Sequence, residues 1–293
     1  MSHEPSRIDV NASRRAGPLE YQQSKNRFAF GKNWASFLTS LNEDRIVEAE
    51  RSLQEMIGKD RLDGATFLDA GCGSGLFSLA AMRLGAWRVH SFDIDADSVA
   101  CARELGRRYF PAAVNWTIDQ ASVLDGAYLD SLGKWDIVYS WGVLHHTGNM
   151  WEAIDRVTTL VEPGGVLFIS IYNDQGVASR MWSEIKRQYN ESRLGKACIL
   201  AGFFPYFACR GMAADILRLR NPMNRYRDYH RSRGMSVVHD WIDWLGGYPF
   251  EVAKPEEIFE FCTGRGFTLQ KLVTRSGTLG CNEFVFKGPR ERL

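Results

Sequence analysis

An excess of charge of either sign, paired cysteines and long apolar runs are all missing from this sequence. Lys and Arg number 36 against 35 Asp and Glu, a net charge of +1. The overall charge therefore exerts no pull toward nucleic acid or an anionic membrane. The six cysteines (72, 101, 198, 209, 262 and 281) include no C-x-x-C pair and no metal-ligand spacing. This argues against a disulfide framework or zinc site and for reduced thiols in a cytoplasmic setting. No apolar run approaches the roughly 20 residues of a membrane-spanning helix. The compact stretch Ala197 to Cys209, interrupted by Pro205, reads as too short to cross a bilayer. The first residues are polar, with no apolar signal core,. There is no internal repeat and no low-complexity tract.

What is present suits a globular enzyme. The 293 residues are 45% hydrophobic with nine tryptophans, enough for one large domain or for one domain with an elaborated insertion. Residues 1–63 read as a disordered start followed by a cap: aromatics Tyr21, Phe28, Phe30, Trp34 and Phe37, then a helical pattern from Asn42 to Ile57. Residues 64–175 alternate strands (near 66–70, 89–92, 114–118, 135–140 and 165–171) with helices (near 76–84, 97–108 and 149–161). Such alternation predicts a doubly wound parallel sheet, with Pro163-Gly164-Gly165 as the turn into the fifth strand. Residues 176–250 break the rhythm with a mostly helical insertion. Residues 251–293 (helix 255–264, strands 267–274 and 282–287) complete seven strands, the last antiparallel.

The most informative stretch is Phe67-Leu68-Asp69-Ala70-Gly71-Cys72-Gly73-Ser74-Gly75. It reads as a buried strand, a glycine turn and a helix, and the next strand ends on Asp93. The glycines allow a sharp turn and close approach of a ligand, and a terminal carboxylate can accept both ribose hydroxyls. The dinucleotide fingerprint is G-x-G-x-x-G, whereas this spacing is G-x-G-x-G with Asp69 just before it. The pattern resembles motif I of the class I S-adenosylmethionine-dependent methyltransferases, which implies a Rossmann-like fold and S-adenosylmethionine as cofactor. Lys134-Trp135-Asp136-Ile137-Val138-Tyr139-Ser140-Trp141-Gly142-Val143-Leu144-His145-His146 is similar to the fourth strand and following turn of that class. Ligands in such sheets sit outside the carboxyl ends of the strands. The expected cofactor contacts are therefore Asp69, Gly71, Cys72 and Gly73, then Asp93 and Ile94, Ala121 and Ser122, Ser140 and Trp141.

A narrower likeness rests on Asn42-Glu43-Asp44-Arg45, Asn173, His239-Asp240 and Lys254-Pro255-Glu256-Glu257. These short matches, added to the core, resemble the ubiquinone-pathway O-methyltransferases that act on polyprenyl catechols and hydroquinones. The resemblance implies cofactor roles for Arg45, Gly71, Asp93 and Trp141. Arg45 would hold the methionine carboxylate, against the alternative of a solvated helix charge. Phe30 and Trp34, from the preceding segment, would close over the sulfonium. Some members of that family carry acidic metal ligands in an E-x-x-E-H turn. Here those positions are Gly142, His145 and His146, so no metal is expected.

Catalysis would then need alignment and a base. His145 and His146 follow the fourth strand, and adjacent side chains diverge, so one should face the cleft and the other should pack, with His145 slightly favoured as the base. His239 beside Asp240 is a further candidate base, or a surface histidine at a helix start. The stretch 197–209 reads as a lid, an interfacial foot for a lipid substrate or packing for a second subunit, with packing the default. Six arginines at 218–233 face one acid, Asp228; they would grip an anionic acceptor or form a solvated face. A small-molecule hydroxyl acceptor is the preferred reading and no nucleic acid is expected. The alternatives are an RNA methyltransferase, a nitrogen or carbon methyltransferase, and a non-catalytic cofactor-binding module.

Overall fold

The computed structural model describes residues 41–217, 244–275 and 280–290, together with Leu38 and Ile242. Phe30, Trp34, His239 and the arginine-rich stretch 218–233 lie outside the described residues.

Helix α1 (Glu43–Ile57) begins where the Asn42 side chain accepts the Arg45 N–H at 3.2 Å and ends at Gly58, in the left-handed region,. Ile46, Ala49, Leu53 and Met56 recur at helical spacing and form its buried stripe,. There follow β1 (Thr66–Ala70), α2 (Leu76–Arg83), β2 (Arg88–Asp93), α3 (Ala96–Tyr109), β3 (Trp116–Gln120), α4 (Gly126–Leu132) and β4 (Trp135–Trp141). A short 3-10 turn, Leu144–His146, leads into α5 (Met150–Thr159) and β5 (Val161–Tyr172). Helices α6 (Val177–Glu191) and α7 (Arg193–Leu217) come next, then α8 (Pro255–Thr263), β6 (Thr268–Val273) and β7 (Cys281–Lys287).

The seven strands run in the order β3-β2-β1-β4-β5-β7-β6. The first five pair in parallel, and β7 lies antiparallel between β5 and β6. This is the doubly wound, Rossmann-like sheet expected from the alternation, with helical elements inserted before the last two strands. Central strands covered on both faces read as continuous apolar runs, which is why Phe67, Leu68 and Ala70 are all enclosed. One face holds Leu68, Phe92, Val138 and Leu167 against Leu129, Ile154 and Ile258. The other holds Phe67, Val89, Ile137 and Phe168 against Ile46, Leu79 and Leu105.

Four expectations need correction. The third strand starts at Trp116, not near 114, because Val114 is 95% exposed and the inward-facing residue is Trp116. Helix α4 was not anticipated; it has seven residues and buries only Leu129, too little for a visible period. The Pro163-Gly164-Gly165 turn lies inside β5, where the register to β4 shifts between Trp135 and Ile137, an irregularity within the strand and not a strand start. Finally, the apolar stretch 197–209 belongs to the 25-residue helix α7, long and apolar enough by length and composition alone to cross a membrane. The helix continues on both sides of the run because the flanking sequence also forms helix, which a search for apolar residues misses.

Candidate functional site

The carboxyl ends of β1, β2, β3 and β4 converge on one edge of the sheet. The turn after β1 is shaped by backbone alone. Gly71, Gly73 and Gly75 all have positive φ, at 83°, 51° and 81°, where a side chain is strained. A Cβ on Gly71 would lie 2.4 Å from Val143 Cγ1, and one on Gly75 2.7 Å from Ala102 Cβ. The first glycine therefore lets the turn after β4 approach, and the last lets α3 pack against the start of α2. Both Gly71 N–H and Cys72 N–H donate to the Phe92 carbonyl, at 2.8 and 3.0 Å.

Asp93 ends β2 and is gripped by backbone. Its Oδ2 accepts Gly73 N–H and its Oδ1 accepts Asp95 N–H, each at 2.9 Å. The carboxylate is thereby fixed in place beside the glycine turn. Ala121 N–H donates to the Asp93 carbonyl at 3.0 Å, and Ser122 Oγ accepts Leu124 N–H. The backbone thus brings the ends of β1, β2 and β3 to within hydrogen-bond reach of one another. Ile94 is half-buried alongside. Enclosed Ser140 donates to the Ala70 carbonyl at 2.8 Å and ties β4 to β1. Trp141 is 45% exposed and donates to Glu283 on β7 at 3.0 Å. Arg45 sits half-buried in the first turn of α1, and burial lowers its pKa.

Asp69 is enclosed beneath the turn. Burial pushes its pKa up to about 7, the Ser78 hydroxyl acts against that rise, and the charge on Asp93 adds to it. Ser78 Oγ donates to Asp69 at 2.5 Å, Ser78 and Ser91 hydroxyls meet at 2.7 Å, and Trp116 Nε1 donates to Ser91 at 2.9 Å. An indole nitrogen can only donate. The protons therefore run one way, Trp116 to Ser91 to Ser78 to Asp69. The Cys72 thiol is pushed well up, first by burial and then by Asp69 and Asp93. It stays protonated and is no nucleophile.

The second half of the site follows β4. His145 is fully enclosed, with its ring 4.1 Å from that of Tyr172 and 4.5 Å from that of His146. Among the described residues neither ring nitrogen of His145 has a hydrogen-bond partner. Burial, then neighbouring His146, holds its pKa well below the usual imidazole value; the Ser170 backbone opposes this only in part. His146 Nδ1 lies 2.6 Å from the Pro249 carbonyl. A carbonyl only accepts, so Nδ1 carries the proton and the neutral ring keeps its lone pair on Nε2. Glu251 N–H donates to the His145 carbonyl at 2.9 Å, and Met150 N–H to Glu251 Oε1 at 3.1 Å. Residues 249–251 are thus clamped onto the histidine turn.

The sequence reading missed the partners of this turn. Lys186 on α6 is fully buried; its Nζ donates to the Trp244 carbonyl and sits 4.3 Å from the Trp244 ring and 4.9 Å from that of Phe250. Asn190 reaches the Gly246 carbonyl at 2.8 Å. Trp182, Lys186 and Tyr189 share one face of α6, so a lysine on an otherwise aromatic stripe was the available signal. Pro249 carried none, since it acts through its main chain.

A family profile described as a methyltransferase domain matches residues 41–194, just over half of the chain. The chain is 37% identical over 110 residues to ribosomal protein L11 methyltransferase of Geotalea uraniireducens, covering 37% of this chain and 32% of that protein. It is 30% identical over 119 residues to the mitochondrial ubiquinone biosynthesis O-methyltransferase of Dictyostelium discoideum, covering 38% of this chain and 36% of that one. The matches thus span about a third of these curated relatives. In fold it is similar to magnesium protoporphyrin IX methyltransferase of Synechocystis, solved with SAH bound: TM-score 0.50, 15% identity, 83% of each chain. The strand order, the glycine turn closed on Asp93 and the matched domain together lead to one conclusion: this chain belongs to the methyltransferase-domain family, as a class I S-adenosylmethionine-dependent methyltransferase.

Proposed function

We propose that this enzyme methylates a hydroxyl of a small-molecule acceptor, with His146 as the general base. The observation that carries the proposal is the hydrogen bond from His146 Nδ1 to the Pro249 carbonyl. It fixes the tautomer that presents a basic Nε2 and would stabilise the imidazolium formed on proton uptake, the base-and-orienter arrangement of proton-transfer sites. The sequence slightly favoured His145. Its enclosed, partnerless ring and depressed pKa suit a neutral neighbour that gains a hydrogen bond when an acceptor enters.

The residues present fit the cofactor. The turn 71–75 offers backbone without side chains at its three glycines, and the Asp93 carboxylate is already oriented for a pair of ribose hydroxyls,. Asp69, Cys72, Ile94, Ala121, Ser122, Ser140 and Trp141 complete this cradle, and Arg45 would meet the methionine carboxylate. Phe30 and Trp34 would cover the cofactor from the preceding segment. Bound S-adenosylmethionine supplies an electrophilic methyl group on a sulfonium. The chain's part is to align an acceptor oxygen in line with that methyl, exclude water and take the hydroxyl proton on His146 Nε2. His239, beside Asp240 in the sequence, would be a second candidate base.

The test is an acceptor screen with isotopically labelled methyl donor. Small hydroxylated compounds should gain a labelled methyl that resists acid hydrolysis as an ether does, and His146→Ala should lose that transfer. Label appearing only in protein, as the L11 methyltransferase likeness would have it, or only in RNA, would refute the small-molecule acceptor.

A further inference from the structure

Helix α7 is apolar around most of its circumference and carries apolar residues on its outward side. Leu194, Cys198, Tyr206, Cys209, Met212 and Ile216 are all exposed, and their steps of three, four or two helical turns place them along one stripe,. Leu194 is 75% exposed and Ile216 62%. The other side of the helix leans on α6, with Phe203 5.1 Å from the Trp182 ring. None of the apolar window of α7 is buried. The stripe also has relief: Cys198, Ile199, Gly202, Phe203 and Tyr206 line a shallow groove. Soluble helices turn such a stripe inward, and an exposed one marks a contact surface.

We infer that α7 docks this enzyme on an anionic lipid bilayer, lying in the plane of the interface. Two observations choose the occupant. The sequence that follows α7 directly, residues 218–233, carries six arginines against one acid, and a basic cluster next to an exposed apolar helix is drawn to anionic lipid. A second copy of the chain fits worse. Symmetric pairing of α7 with itself would set either two arginine runs together or one run against Arg193 and Lys196 of its mate, like charges in both cases.

Spanning is excluded by the chain's path. Residues 177–191, before α7, and 244–250, after it, pack on the same body through Lys186 and Trp244. A helix that crossed the bilayer would need residues 218–243 to cross back, and six arginines at that depth are prohibitive,. The helix therefore lies on the membrane and does not traverse it. A line of aromatic contacts runs inward from this surface: Phe203 to Trp182 at 5.1 Å, Trp182 to Trp244 at 5.4 Å, Trp244 to Tyr172 at 5.9 Å and Tyr172 to His145 at 4.1 Å. The docked face and the histidine turn are thus joined by one packed layer.

The test uses the full chain and sedimentation with vesicles, and needs no methyl transfer. Wild-type protein should pellet with vesicles containing phosphatidylglycerol, less so with added salt, and stay in solution with phosphatidylcholine alone. The triple variant Tyr206→Glu, Met212→Glu, Ile216→Glu changes only exposed positions; it should stay in solution while keeping its helical content and cofactor affinity. Failure of the wild type to bind phosphatidylglycerol vesicles, or equal binding by the triple variant, overturns the inference. So does a wild-type dimer in analytical ultracentrifugation that the same substitutions dissociate, since the surface would then belong to a second copy.

Discussion

The two halves of the site are built by different means. At the glycine turn and Asp93, main-chain amides meet a carbonyl and a carboxylate, and the contacts join neighbouring strand ends of one sheet. At the histidine turn, rings and a buried ammonium from α6, β5 and residues 244–251 meet across long stretches of chain. The first construction can be made in only one way, because positive φ and absent Cβ atoms are demanded at fixed positions. The second tolerates different side chains wherever volume and hydrogen bonds are kept. On the proposed function, the first half would be a fixed cradle for one cofactor and the second an adaptable wall for the acceptor.

The largest effect should come from breaking the first half. Gly71→Val sets a branched side chain where a Cβ already meets Val143 at 2.4 Å, on a residue with φ 83°. Cofactor binding should become unmeasurable by calorimetry while circular dichroism still reports the sheet; wild-type affinity would mean that the turn is not the cradle. Next, His146→Ala should lower kcat by ~10²–10⁴, the usual worth of a general base, with cofactor affinity unchanged. Full turnover would leave alignment alone as the mechanism. Asp93→Ala should weaken cofactor binding about 10- to 100-fold, from the ~1.5–3 kcal/mol of a charged hydrogen bond. An unaltered dissociation constant would remove Asp93 from the site.

The smaller effects sharpen the contrast. Lys186→Met removes the tie to the Trp244 carbonyl but keeps an apolar stem. It should raise KM for the acceptor roughly fivefold, from ~1 kcal/mol for one hydrogen bond, and speed amide exchange at 244–251. A parallel loss of cofactor affinity would deny that the halves are separable. The pH response should divide the same way. His145 is held neutral when folded, so only the unfolded chain takes up its proton as pH falls below about 6.5, and stability drops in that direction,. Asp69 does the reverse: its folded pKa is about 7, so stability falls as pH rises from about 4 toward 7,. The two slopes oppose each other in the wild type. Urea midpoints across that range should rise with pH in Asp69→Asn and fall with pH in His145→Phe. Matching profiles in both variants would show that neither group titrates as described.

The same division explains how far the sequence could be read. The glycine turn, Asp93 and the antiparallel last strand were legible because each is a local rule: a turn needing glycine, a strand ending on a carboxylate, an alternation that runs out. The twin histidines were visible as residues but not as partners, since Pro249 acts through a carbonyl that any residue would provide. Lys186 was hidden for a related reason. A lysine in a helix reads as solvated, and only packing against Trp244 and Phe250 shows it to be enclosed. The stretch 197–209 read as too short to cross a bilayer because only the contiguous apolar run was counted, whereas the helix that holds it has 25 residues.

The place of β7 has a consequence for synthesis. It is made after β5 and β6, yet it belongs between them. Until it arrives, the sheet ends at β5, and β6 has no neighbour to pair with. The nascent protein must hold that slot open against mispairing, because unpaired strand edges recruit other chains. A stop codon placed just before Cys281 would remove β7 and leave both edges bare. Such a product should be cleared or aggregate, even with every residue of the cofactor turn intact.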